Sequence, residues 1–155
     1  MLSANDQAYF WECAKDILAS EDVQRMKTFI QHGNVSCYEH SLCVAYGSFC
    51  LCRRLHLRVD TRSLIRGALL HDFFLYDWHT NGMKNGLHGF THPKTALRNA
   101  QKQFCLNKKE QDIIVKHMWP LTVIPPRCKE GYIVCLLDKY CSVRETFRCA
   151  KLVRA

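Results

Sequence analysis

Leu64-Ile65-Arg66-Gly67-Ala68-Leu69-Leu70-His71-Asp72-Phe73-Phe74-Leu75 is the longest apolar stretch in a chain of 155 residues. Arg66, His71 and Asp72 interrupt it, and it falls short of the roughly 20 apolar residues that span a bilayer. Asp60 stands where an N-cap belongs and predicts a helix running from there toward Asp72. On that helix Ile65, Ala68, Leu69 and Asp72 recur at i, i+3, i+4 and i+7, so Asp72 shares the apolar face. His71 follows Leu64 and Ala68 on the adjoining stripe. A carboxylate on such a face points into the core, where acids are rare unless paired.

The flanking sequence reads as further helices. Residues 5–19 carry Ala8, Trp11, Ile17 and Leu18 at near-helical spacing, and Ser20 caps a second helix running to about His32 and stopping at Gly33. Ser36-x-x-Glu39 is a capping box opening a third. Asn81 to Gly89, with three glycines and two asparagines, reads as a loop. His92-Pro93 opens a fifth helix, with Pro93 at its first position. Asn107-x-x-Glu110 opens a sixth that ends before Pro120, Pro125-Pro126 makes a turn, and a last helix covers about 130–148. No convincing alternation appears, so strand content near zero is expected. The expectation is one all-α domain over 1–155, a bundle of six to seven helices.

Composition narrows the function. Apolar residues at 48% and charged residues at 23% match a globular protein. Only 7 Gly and 4 Pro argue against collagen, low complexity and a β-sandwich. The 22 Lys and Arg against 14 Asp and Glu leave +8, favouring anionic partners. The basic residues are scattered with no run of five, so nucleic acid is not the expected partner. Ten cysteines contain no Cys-x-x-Cys pair, which weakens zinc-ribbon and thioredoxin readings. Cys43 and Cys50, seven apart on one helix, read as small core residues. Residues 1–10 lack a signal-peptide pattern, so a cytoplasmic protein with reduced cysteines and no membrane partner is expected.

Other ionisable residues converge on the same interior. His40, Cys43, Val44, Gly47 and Leu51 form one stripe, Ile113, Ile114 and His117 another, and Val134, Leu137, Asp138 and Cys141 a third. Two Asp and at least three His, drawn from four helices, therefore face one core. Unpaired carboxylates there would repel and raise each other's pKa. A divalent cation removes the conflict by giving acids and imidazoles a common partner. Nitrogen and oxygen donors without thiolate suit manganese, iron, cobalt, zinc or nickel.

The ordered set His40, His71-Asp72, a middle histidine pair and Asp138 resembles the HD-domain superfamily of metal-dependent phosphohydrolases. The phrases 66–72 (RGALLHD) and Leu136-Leu137-Asp138-Lys139 are similar to its two clearest motifs, and the likeness covers about residues 34–148. The resemblance implies an all-α metal-binding core over 34–148, with residues 1–33 packed on it. It implies His40, His71, Asp72 and Asp138 as ligands of a primary metal. Two-metal members bridge the ions through the counterpart of Asp72 and add later histidines, which His92 and His117 match best. His88 competes with His92; His92 is favoured because it stands at a helix start fixed by Pro93. Many two-metal relatives carry a lysine shortly after the His-Asp pair; here Phe73-Phe74-Leu75-Tyr76-Asp77 follows.

The expected function is hydrolysis of a phosphoester or phosphoanhydride bond in a nucleotide or dinucleotide, by water activated at one or two divalent ions. Asp72 is the catalytic centre of that reading and Asp77 the candidate general base. Lys94, Lys139 and Arg144, with Lys116, are the candidate phosphate contacts, while Tyr76, Trp78 and Trp119 are placed to stack on a base. His56 and His79 read as surface residues. The competing reading is a non-catalytic module that senses a phosphorylated nucleotide through the same metal site.

Overall fold

The computed structural model describes residues 2–79 and 88–152, with side chains to residue 147. Among the described residues it holds seven α-helices and one two-stranded sheet: α1 Ala4–Leu18, α2 Glu21–Arg25, β1 Ile30–His32, β2 Val35–Ser36, α3 Cys37–Arg54, α4 Thr61–Leu70, α5 His88–Gln103, α6 Lys108–Lys116 and α7 Lys129–Leu152. The fold is all-α. No helix among the described residues is long and apolar enough to cross a membrane.

α4 is the axis. Every residue from Ser63 to Phe74 is buried, and α1, α3, α5, α6 and α7 all pack against it. Its start is set by Asp60, whose side chain accepts from Ser63 N at 3.1 Å, a cap contributing about 1 kcal/mol. Arg66 is buried at its middle and is compensated from two sides. Its Nη1 donates to Asp16 of α1 at 2.6 Å and its Nε to Glu110 of α6 at 3.2 Å. At its end the chain leaves the helix through Leu75, in the left-handed region at φ 59°. Asn99 of α5 holds that exit, donating Nδ2 to the carbonyls of Phe73 and Phe74. His71 and Asp72 are thus pinned between a capped helix and a fastened turn.

The capping box at Ser36/Glu39 forms as expected, and Asn107/Glu110, which opens the sixth helix as expected, forms one too. Five local expectations are corrected. The second helix does not reach His32: α2 ends at Arg25, a 3-10 turn covers Met26–Thr28, and a hairpin follows. Gly33, at φ 59°, turns that hairpin, a conformation glycine takes without a Cβ penalty. Strand content is therefore small but not nil. α5 starts at His88, so Pro93 lies inside the helix rather than at its first position; residues 81–87 of the expected loop lie outside the described residues. In α1 the buried face is Phe10, Cys13, Ala14 and Ile17, whereas Ala8 and Trp11 are exposed. In α3, His40 and Val44 are buried, but Cys43, Gly47, Cys50 and Leu51 are only half-buried; Ser48, Phe49 and Cys52 complete the inner face.

Candidate metal centre

Five helices and one hairpin deliver the polar core. α3 brings His40, the end of α4 brings His71 and Asp72, α5 brings His92, the end of α6 brings His117, and α7 brings Asp138. All six are buried, with His40 and His71 fully so. Three overlapping groups have ligand atoms within 4.8 Å of one another and can hold a metal ion: His40, His71 and Asp72; His71, His117 and Asp138; and Asp72, His92 and His117.

The imidazoles share one orientation rule. His71 donates Nδ1–H to Ala68 O at 2.7 Å, His92 to His88 O at 2.8 Å, and His117 to Ile114 O at 2.8 Å. His40 turns Nδ1 instead to the buried carboxylate of Glu145, at 2.9 Å. Each Nδ1–H is thereby occupied, which in the neutral ring leaves Nε2 as the lone-pair nitrogen. All four Nε2 atoms face the two aspartates. Oδ2 of Asp72 lies 3.2 Å from His71 Nε2 and 3.8 Å from His40 Nε2. Its Oδ1 lies 3.1 Å from His92 Nε2 and 3.5 Å from His117 Nε2. Oδ1 of Asp138 lies 3.1 Å from His40 Nε2 and 3.7 Å from His71 Nε2.

These residues could hold a metal ion. His71 Nε2 and Asp72 Oδ1 are buried and make no hydrogen bond among the described residues. Buried polar atoms otherwise cost about 1–3 kcal/mol each when left unpaired. Metal–nitrogen bonds of about 2.1 Å bring neighbouring donor nitrogens to about 3 Å. The occupied Nδ1 atoms are the outer hydrogen bonds that metal-ligating histidines ordinarily make.

Electrostatics agrees. Burial opposes charging His40, but its hydrogen bonds to Asp138 and Glu145 outweigh that and push it up to about 9. His71 is likewise raised against burial by the charges of Asp72 and Asp138. Asp138 is held well below the usual carboxylate range, burial being overcome by His40 and His71. Burial, then the neighbouring His71 and His92, push His117 down to about 3. The carboxylates stay ionised and call for positive charge at the Nε2 side.

Above the cluster opens a cavity of about 430 Å³, within the roughly 300–1,000 Å³ of small-molecule sites. Asp72, His92, His117 and Asp138 reach it, with Trp78, Met118, Leu121 and Lys139 among its walls. Lys139 donates Nζ to His117 O and Cys135 O, both at 3.3 Å, and so stands at the site. Lys94 is exposed and does not line the cavity. Lys116 pairs with Asp112 at 2.5 Å. Arg144 is also exposed; its Nη2 lies 2.9 Å from Cys43 Sγ. Asp77 is half-exposed, outside the cavity wall, and accepts from His79 N at 2.9 Å. His88 touches the cavity but contributes to no ligand group: its Nδ1 meets the Tyr76 hydroxyl at 3.0 Å, and its ring stacks on His92. Trp119 packs edge-on against Tyr132 instead.

Sequence reasoning missed four supporting residues. Gln31 donates Nε2 to Asp72 Oδ2 at 2.7 Å, and the Cys37 thiol donates to Gln31 Oε1 at 3.2 Å, which fixes the amide's sense. Burial, then Asp72, raise the Cys37 thiol, keeping it a donor. His32 lines the cavity with its ring 5.5 Å from that of His40. Gln31 and His32 belong to the hairpin that reads as helix. Glu145 was findable: it stands seven residues after Asp138, two helical turns along the same face. Neither the protein-family models nor the curated proteins with which the chain was compared match it.

Proposed function

We propose that this chain is a metal-dependent phosphohydrolase of the HD type, cleaving a phosphoester or phosphoanhydride bond of a nucleotide or dinucleotide with two divalent transition-metal ions. Manganese, iron, cobalt, nickel and zinc suit the donors. One observation carries the reading: Asp72 offers Oδ2 to His40 and His71 and Oδ1 to His92 and His117, so one carboxylate serves two sets of donors. Asp138 joins the first set. When bound, such ions supply Lewis acidity toward a phosphoryl oxygen and lower the pKa of water.

The chain's own residues do the rest. Gln31 and Glu145 orient Asp72 and His40. The Lys139 ammonium, held on two carbonyls at the cavity wall, has a third N–H to offer a phosphoryl oxygen. Trp78 lines the same cavity with its ring stacked on that of His88. Asp77 is not retained as the general base, because its carboxylate serves the His79 backbone away from the cavity.

The test is metal analysis of anaerobically purified protein, followed by a panel of nucleotides and dinucleotides with manganese, iron or nickel. Metal-dependent phosphate release is expected from at least one. Full metal occupancy with ligand binding but no turnover across the panel would replace the enzyme by a sensor module.

A further inference from the structure

On the outer side of α3 and α7, one turn beyond His40 and Asp138, Cys43 and Cys141 face each other with sulfurs 3.4 Å apart. The two sulfurs differ in their surroundings. Cys43 is half-buried and lines an open surface pocket of about 350 Å³ beside Trp11, Glu39 and Tyr46. Cys141 lies behind it, 2% exposed. The guanidinium of Arg144 reaches Cys43 Sγ at 2.9 Å and is itself carried over the Tyr140 ring, 5.7 Å from its centroid. The phosphohydrolase reading uses none of these groups.

We propose that Cys43 and Cys141 form a peroxide-reactive thiol pair, with Cys43 the attacking sulfur and Cys141 the resolving one, that closes into a disulfide between α3 and α7. The Cys43 thiolate attacks the terminal oxygen of a hydroperoxide. The O–O bond breaks and the leaving alkoxide or hydroxide takes up the proton that Cys43 released. Cys43 becomes a sulfenic acid, oxidised by two electrons. The Cys141 sulfur then attacks the Cys43 sulfur, the S–O bond breaks, and hydroxide leaves as water with the Cys141 proton. Two thiols and one hydroperoxide thus give one disulfide, one alcohol (or water) and one water.

Asymmetry between the sulfurs sets their order. A low-pKa, accessible cysteine beside a resolving partner is the layout of oxidisable thiols. The hydrogen bond from Cys141, then the Arg144 charge, lower Cys43 against the effect of burial. Cys141 shifts the opposite way, raised by the Cys43 contact and burial.

The full-length protein, reduced and freed of reductant, is treated with one equivalent of hydrogen peroxide and digested with trypsin. Peptide 140–144 carries Cys141 alone, and peptide 28–53 carries Cys43. The expected first product is their cross-link, assigned to Cys43 by fragmentation and reversed by dithiothreitol. In Cys141→Ser, dimedone should trap a sulfenic acid on Cys43. In Arg144→Gln, oxidation of Cys43 should slow severalfold while the other cysteines keep their rates. A first disulfide elsewhere, or Cys43 among the slowest cysteines in the untreated wild type toward iodoacetamide, would overturn the assignment.

Discussion

His92 and His117 hold their Nε2 atoms 2.8 Å apart, although each already donates its Nδ1–H to a carbonyl of its own helix segment. Two neutral rings so arranged present lone pair to lone pair. A shared proton or a shared cation resolves that contact, and Asp72 Oδ1 beside both rings favours positive charge there. On the two-ion reading, this pair belongs to the second ion.

His92→Ala combined with His117→Ala should therefore remove one metal equivalent and leave one. Activity should fall at least a hundredfold. Elemental analysis of the purified double variant decides it; loss of all metal would mean a single shared site.

Asp72→Asn should lose both equivalents, because an amide cannot offer two anionic oxygens to two sets of donors. Hydrolysis should be abolished, while the helical circular dichroism persists. His56→Ala, at an exposed position, serves as the control and should change stability by no more than about 0.5 kcal/mol.

Glu145→Gln should keep the fold and the first-sphere donors but weaken the metal. Replacing the carboxylate that accepts from His40 Nδ1 reduces the basicity of Nε2. Loss of such an outer partner typically costs about 10–100-fold in metal affinity or activity. Competition with a chromogenic chelator measures it; unchanged affinity would make Glu145 merely structural.

Gly67→Ala should destabilise the bundle. A Cβ at Gly67 would meet three atoms of Ile113, at 2.8, 2.9 and 2.9 Å. Ile113 is branched and fully buried, so α4 and α6 must separate, at about 1–3 kcal/mol. A lowered melting temperature with unchanged metal stoichiometry is expected.

Chelation should cost activity before it costs helix. The apolar core from Phe10 to Cys141 is assembled from side chains alone. A lower melting temperature on metal removal, with retained ellipticity, follows from mass action.

How much of this was legible depended on periodicity. Asp60, Ser36 and Asn107 announced three helix starts because capping is local chemistry. Asp72 and Asp138 were recognisable because an acid in an apolar helical stripe has few explanations. The hairpin at 30–36 was hidden, since three strand residues and a two-residue partner are too short for alternation to register. With it went Gln31 and His32. Lys94 and Arg144 do not line the cavity: nearness in sequence to a ligand says nothing about which way a helix turns a side chain. Lys139 lines the cavity; Lys94 is exposed and does not.

The distance along the chain between the donors sets an order of events. His40 and Asp138 are 98 residues apart, and their partners come from three further helices. In the unfolded chain these donors are dilute with respect to one another, because closing such a loop carries an entropic cost that no single contact repays. On the two-ion reading, ion capture is therefore not expected to seed the bundle. On that reading the helices dock on α4 first and the cations enter a cup already made, so newly synthesised protein would pass through a folded, metal-free stage. Cells starved of metal should accumulate that stage as folded protein, not as aggregate.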